Sequence, residues 1–391
     1  CGGKRRYLDR NREAGNELLV ADYFSANPVY TDAQFRRRYR MRKPLFHRIV
    51  QALEDWSPEF RHRRDALNRS GFTPLQKCTT VMRMLAYGCS ADFIDDHLRI
   101  GNSTALKCLQ KFVEGINEIF GPQYLRQPTP EDIDRILQIN EARGFPGMLG
   151  SLDCMHWEWK NYPTAWKGQF TRGDHGVSTM MLEAVASQDL WIWHAFFGVA
   201  GSNNDLNVLN QSTLFTNVLQ GRAPAVQFTV CGSEYNMGYY LVDGIYPEWA
   251  AFVKTIPLPQ NERDKCFARR QEGARKDVER AFGVLQARFA ILRIPARFWK
   301  RSLLSKIMYA CIIIHNMIVE DERDTYRVRY DFNLYDQGCN PIPPVQPEHG
   351  PIDGFTDLLD RNAALRDRRR HIRLKKDLVE HIWRRFGDGQ G

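Results

Sequence analysis

The sequence has no C-x-x-C pair, no internal repeat, no low-complexity tract and no long apolar run free of polar groups. Each absence removes a class of protein. Nine cysteines are scattered from Cys1 to Cys339, an odd number without metal-ligand spacing. That argues against a disulfide framework or a zinc centre and favours a reducing compartment. Without a fixed repeat period the chain is not a solenoid. The most apolar run, Leu303 to Val319, carries Lys306, His315 and Asn316, so it predicts a buried helix and no membrane span. No secretory leader is expected, and because the chain opens at Cys1 and not at a methionine, further residues are expected before it. What is present is globular: 391 residues, 43% hydrophobic and 26% charged, enough for two or three domains. A formal net charge of +9 suits a polyanionic partner, although basic enzymes without one share that balance.

Three acids stand out against this background. Asp153 follows Met148-Leu149-Gly150-Ser151-Leu152, and Asp243 ends Tyr239-Tyr240-Leu241-Val242. Such short apolar runs read as buried strands reaching the edge of a sheet. Glu279 falls on a helix, because Val278, Phe282, Leu285, Phe289 and Leu292 recur at steps of four and three. A carboxylate is costly beside a sheet core unless something positive neutralises it. Three together repel, and a divalent cation removes that conflict. Mg²⁺ takes oxygen ligands, and two such ions can clamp the attacking and leaving oxygens of a phosphodiester. Each acid also has an ordinary reading. Asp243-Gly244 suits a turn, and Glu279 pairs with Arg275 at i, i+4. Asp205, after Gly201-Ser202-Asn203-Asn204, is the rival second aspartate, an accessory acid whose ordinary reading is a helix cap. His156 reads as structural, and His315 with Asn316 as a hydrogen-bonded core pair.

Two strand aspartates and a helix glutamate resemble the site of an RNase H-like nuclease. Thirty-five residues separate Asp243 from Glu279, the D-D-35-E interval of the PIF/Harbinger superfamily of transposases, and the chain looks nearest its plant Pong/Ping branch. Val242-Asp243-Gly244-Ile245-Tyr246-Pro247, Gly201-Ser202-Asn203-Asn204-Asp205 and Ile314-His315-Asn316-Met317 also match. Arg275 matches the arginine of the related bacterial signature tyrosine-2-arginine-3-glutamate-6-lysine. The tyrosine position holds Glu272 and the lysine position Gln286, so a lysine contact to DNA does not carry over. The resemblance implies a catalytic subunit in which Asp153, Asp243 and Glu279 are both catalytic groups and ligands of two Mg²⁺ (or Mn²⁺) ions. It implies cut-and-paste movement, with cleavage by water and strand transfer by a 3′-hydroxyl. It further implies double-stranded terminal-repeat DNA with a T/A-rich target, a Myb-like accessory DNA-binding protein, a homo-oligomer and residence in the nucleus. The alternative is a domesticated chromatin or regulatory protein that binds without cutting. A weaker one is a DNA-binding factor using residues 73–120 alone.

The expected fold is α/β: an RNase H-like mixed sheet flanked by helices over residues 129–321. An all-α, helix-turn-helix-like region at 44–128 precedes it. Residues 1–43 open as a loose basic arm and continue into a helix, Phe35 to Lys43, with six cations between aromatics. Thr73-Pro74-Leu75-Gln76 is a capping box with proline at the first helical position. After it come three helices, with Leu106, Leu109, Val113 and Ile116 inward on the third. Asn102, Ser103, Thr104, Lys107 and Lys111 lie on the candidate recognition helix, and Arg275, Lys276 and Arg280 beside Glu279, as DNA contacts. Residues 322–360 read as a Pro-rich loop. Residues 361–391 read as a separate basic helix whose stripe of Leu374, Leu378, Ile382 and Phe386 docks on another protomer or protein.

Overall fold

The computed structural model describes residues 10–64, 66, 68–173, 176–221, 226–323 and 355–387. The helices run in the order α1 (Arg12–Leu19), α2 (Asp32–Tyr39), α3 (Lys43–Trp56), α4 (Pro74–Tyr87), α5 (Ala91–Leu98), α6 (Asn102–Tyr124) and α7 (Pro130–Ala142). Strands β1 (Met148–Glu158), β2 (Thr179–Ala186) and β3 (Ile192–Ala200) follow, with the short helix α8 (Lys167–Phe170) between the first two. Next come α9 (Asp205–Gln211), α10 (Thr216–Leu219), β4 (Phe228–Val230), β5 (Ser233–Tyr235), β6 (Tyr239–Val242) and β7 (Phe252–Lys254). The chain then forms α11 (Glu262–Arg288), α12 (Arg301–Asp321), α13 (Phe355–Leu365) and α14 (Arg368–Phe386). They divide into two compact units, one of residues up to Tyr124 with Leu285–Asp321, the other of Leu125–Val284 with the residues from Glu322 on.

In the first unit the expected capping box is present. The Thr73 hydroxyl accepts from the Gln76 amide at 3.2 Å, and the Thr73 amide donates to Gln76 Oε1 at 3.1 Å. The three helices α4, α5 and α6 follow in the expected order, but Leu106 is 40% exposed and does not join the inward stripe of Leu109, Val113 and Ile116. Residues from 10 onward are not a loose arm, because Leu19 and Tyr23 find burial and Arg10 pairs with Asp95 at 2.8 Å. In the basic helix Phe35 and Tyr39 are fully buried, so its aromatics serve the core and do not alternate with cations on one face. Helix α12 is long and apolar enough to cross a membrane, yet it is mostly buried and packs on α6. Asn316 Nδ2 donates to the Tyr124 carbonyl at 2.7 Å, and Arg288 Nη1 meets His315 Nδ1 at 3.0 Å. These bonds and apolar contacts hold Leu285–Asp321 with the N-terminal helices, not with the sheet as residues 129–321 had suggested.

The second unit is built on a five-stranded sheet in the order β3-β2-β1-β6-β7. β1, β2 and β3 are antiparallel neighbours, while β6 and β7 run parallel to β1. Period-two alternation sends Tyr239 and Leu241 to one face and Val242 to the other. The first face buries Val253 and Phe267 with Leu374, Leu378, Val379 and Ile382 of α14. The second buries Leu152, Val185 and Phe252 with Leu209 of α9 and Leu365 of α13. Both faces are thus covered by helices. The stripe of α14 does not dock on another molecule; it completes the sheet's own core, because that face otherwise lies open to water. The expected loop at 322–360 falls largely outside the described residues.

Leu378→Ala should therefore cost about 2–5 kcal/mol of stability, read by denaturant unfolding. Truncation before Phe355 should abolish the cooperative unfolding transition of this unit. A truncated chain that melts like the full one would make α14 an independent appendage.

Candidate active site

The sheet and α11 bring the acids together from below. In the parallel ladder Ser151 pairs with Leu241, so two residues further along stand Asp153, on β1, and Asp243, just past the end of β6. Helix α11 is bolted to this edge by polar contacts. The Val278 amide donates to Ser151 Oγ at 3.0 Å, and Gln271 Nε2 donates to the Val242 and Val253 carbonyls at 3.0 and 3.1 Å. The fully buried Asp277 pairs with Arg143 at 2.6 Å. Glu279 is thereby set beside Asp153 across one guanidinium. Arg275 Nη1 lies 2.7 Å from Glu279 Oε1 and 3.5 Å from Asp153 Oδ2.

Burial, opposed by the Cys154 amide and by Arg275 and reinforced by the fields of Asp205 and Asp243, lifts the Asp153 carboxyl to about 6. The Cys154 amide bond is 2.8 Å long. Asp205 is raised as well, by burial and then by Asp243. Asp205 is not the cap of α9. Asn204 takes that role, its side chain accepting from the Asn207 amide at 3.0 Å. Asp205 instead feels the field of Asp243, and Cys154 partly offsets the rise of its carboxyl. The turn before it requires glycine: a Cβ on Gly201 would stand 1.9 Å from Thr179 Oγ1. Asp243 Oδ1 accepts from the Ile245 amide at 2.9 Å, the turn expected at Asp243-Gly244. His156 bonds to Thr179 Oγ1 at 2.8 Å, a structural contact.

Behind these acids lies a group that pattern reading missed. Glu183 on β2 is fully buried, pairs in register with Cys154, and meets His194 Nε2 at 3.2 Å. Ser212 Oγ donates to the same oxygen, Oε1, and its other oxygen, Oε2, has no hydrogen-bond partner among the described residues. The available signal was one glutamate inside the apolar run Thr179-Met180-Met181-Leu182-Glu183-Ala184-Val185-Ala186.

By donor chemistry the acids fit a hard divalent cation, since every group is a carboxylate and Asp153 is desolvated beside two others. Among the described residues no three such side chains stand in a metal-holding array, and Arg275 supplies the positive charge between Asp153 and Glu279. Of the DNA-contact candidates, Lys276 is exposed, while Arg280 is 55% exposed and pairs with Asp277. On α6, Asn102, Ser103 and Lys107 are exposed, Thr104 is half-buried, and Lys111 pairs with Glu114 at 3.1 Å.

A family model described as plant transposon protein matches residues 122–326, more than half of the chain and the whole span that carries these acids. The chain belongs to the plant transposon protein family. The match agrees with the PIF/Harbinger interval between Asp243 and Glu279. A second model, of a domain of unknown function, matches residues 15–54. The family member is 24% identical over 277 residues to the "Protein ALP1-like" of Arabidopsis thaliana, covering 67% of this chain and 66% of that protein, just under two thirds of its length. It is 21% identical over 262 residues to the "Putative nuclease HARBI1" of Bos taurus and to that of Homo sapiens, covering 63% of this chain and 69% of each. No solved structure matches.

The raised Asp153 carboxyl has a stability consequence. Its folded value lies above the unfolded one, so the folded state binds more protons between about pH 4 and 6 and loses stability as pH rises through that window. Asp153→Asn should stabilise the metal-free protein above pH 6, by at most about 3 kcal/mol, and the gain should vanish near pH 4. Unfolding curves across pH check this. A gain independent of pH would place its origin elsewhere.

Proposed function

We propose that this chain is the catalytic subunit of a cut-and-paste DNA transposase, cleaving and joining phosphodiesters at an RNase H-like site. The observation that carries the reading is Arg275 set between Asp153 and Glu279, with Asp243 at the end of the strand that pairs beside Asp153. Supporting it are the family match, and an order of strand, hairpin, helix, strand and helix that suits an RNase H-like sheet. Asp153, Asp243 and Glu279 are the residues that would hold Mg²⁺ or Mn²⁺, with Asp205 as accessory acid. A bound pair of such ions supplies activation of water or a 3′-hydroxyl and neutralises charge on the phosphate.

The protein's own part is positioning and charge stabilisation. The strand aspartates are held rigidly by the sheet, and Glu279 by a helix fixed through Ser151 and Gln271. Arg275 orients two carboxylates at once. Arg269, Lys276 and Arg280 offer exposed charge along α11 for a DNA backbone. The reading brings with it double-stranded terminal-repeat DNA, a T/A-rich target, a Myb-like accessory protein, a homo-oligomer and nuclear residence. Helices α4 to α6 are its DNA-reading region, with Asn102, Ser103, Thr104, Lys107 and Lys111 on the reading helix.

Purified protein should cut terminal-repeat DNA only with a divalent metal. Asp153→Asn, Asp243→Asn and Glu279→Gln should each abolish cleavage while DNA binding persists, because an amide keeps shape and loses the charge that holds a cation. Asp205→Asn should lower the rate and leave measurable cutting. DNA binding without cleavage in any metal would favour the domesticated, non-cutting alternative. Abolition by Asp205→Asn with survival of Asp243→Asn would exchange the two aspartates.

Lys107→Ala tests the reading helix separately. Lys107 is exposed and outside the apolar stripe, so folding should be unchanged. The slope of log affinity against log salt should flatten by about one. An unchanged slope would assign α4 to α6 to scaffolding.

A further inference from the structure

The N-terminal unit contains a cleft of about 640 Å³, bounded by α1, the turn after it, α2, α4 and α5. A cleft of this size accommodates several side chains. Part of its lining is apolar: Leu18 and Phe93, each 62% exposed, with the buried Leu19, Ile94 and Leu98. Part is cationic. A π-helical turn, Val20–Phe24, carries Tyr23 into the cleft, and both Arg38 and Arg83 donate to its phenol oxygen. Arg38 also stacks 3.8 Å above the Tyr30 ring, and Arg83 lies over Tyr87 at 5.6 Å.

Two guanidiniums meeting at one neutral oxygen are an unbalanced arrangement. Among the described residues neither forms an ion pair, although Asp22 and Asp96 also line the cleft, with His97 and Arg99. An Arg fork is matched best by a carboxylate or phosphate, which can take two parallel hydrogen bonds. A phosphate backbone would meet these charges but would leave Leu18 and Phe93 against water. A segment that carries both an acid and large apolar residues would satisfy both kinds of lining. We infer that this cleft is the docking site for an acidic amphipathic segment of a partner protein, its carboxylate held by Arg38 and Arg83 and its apolar side chains by Leu18 and Phe93.

The site lies in the region matched by the domain of unknown function for Leu18, Tyr23, Tyr30 and Arg38, and the acids of the proposed nuclease play no part in it. The test is selection of a displayed library of random peptides of about 16 residues, on the order of four helical turns, against the full chain. Recovered peptides should carry Asp or Glu together with Leu, Phe or Trp. A synthetic copy of the best peptide should bind the full chain on the order of tenfold more weakly after Phe93→Ser, and again after Arg83→Gln. Leu18→Ser and Phe93→Ser alter exposed residues and keep the test decisive should Arg83→Gln fail to fold. Peptides lacking the acid, or binding unchanged by Phe93→Ser, would overturn the proposal. So would displacement of the peptide by a short DNA duplex, which would make the cleft a nucleic-acid contact. A dimer of the chain that Phe93→Ser dissociates, with no peptide recovered, would make it a self-association site.

Discussion

The arrangement of the sheet-bearing unit follows from holding several carboxylates beside an apolar sheet. Asp153 lies where burial and its acidic neighbours penalise its charge, and the protein offsets that cost only in part. The Cys154 amide and the Arg275 guanidinium are the two compensating groups, and both are placed by neighbouring structure. The amide belongs to the same strand. Arg275 comes from a helix that the Ser151 and Gln271 contacts fix to the sheet. A site under this strain binds positive charge readily, which is the physical property a phosphodiester-cleaving centre needs.

Much of this frame was legible from periodicity. The stripe Val278, Phe282, Leu285, Phe289 and Leu292 predicted a helix, and all five are buried, but α11 ends at Arg288, so Phe289 and Leu292 lie beyond it, Leu292 in a short 3-10 turn. The run Tyr239 to Val242 predicted β6. These patterns are strong because a helix or strand that buries one face must repeat at a fixed step. β7 was missed, since three residues between prolines are too few to show a period. For α14 the stripe was legible and its partner was not. Periodicity records that a face is covered, and only the sheet shows that Leu374, Leu378 and Ile382 close the same core as Tyr239 and Leu241.

Asp205 shows a different limit. A polar turn before a helix offers several side chains that could cap it, and chemistry alone ranks Asn and Asp nearly equal. Asn204 caps α9, and its neighbour is then free to face the acids. The same ambiguity affects the cations. Arg143 neutralises the buried Asp277, while Arg40 lies over the Tyr87 ring. A net charge of +9 therefore overstates what is presented to a polyanion, because part of the guanidinium inventory works inside the fold.

Glu183 extends the carboxylate argument one layer deeper. A buried acid with one unsatisfied oxygen is expensive, and replacing it by an apolar residue would remove that cost outright. Its position in register with Cys154, the residue after Asp153, connects it to the acids without making it one of them. His194 and Ser212 both satisfy the same oxygen, leaving the other with no hydrogen bond. Glu183 also raises the cost of charge on Asp205, so negative charge is concentrated from behind as well as along the sheet edge. Charge on Asp205 is thus opposed by burial, by Asp243 and by Glu183, which is why its carboxyl is raised.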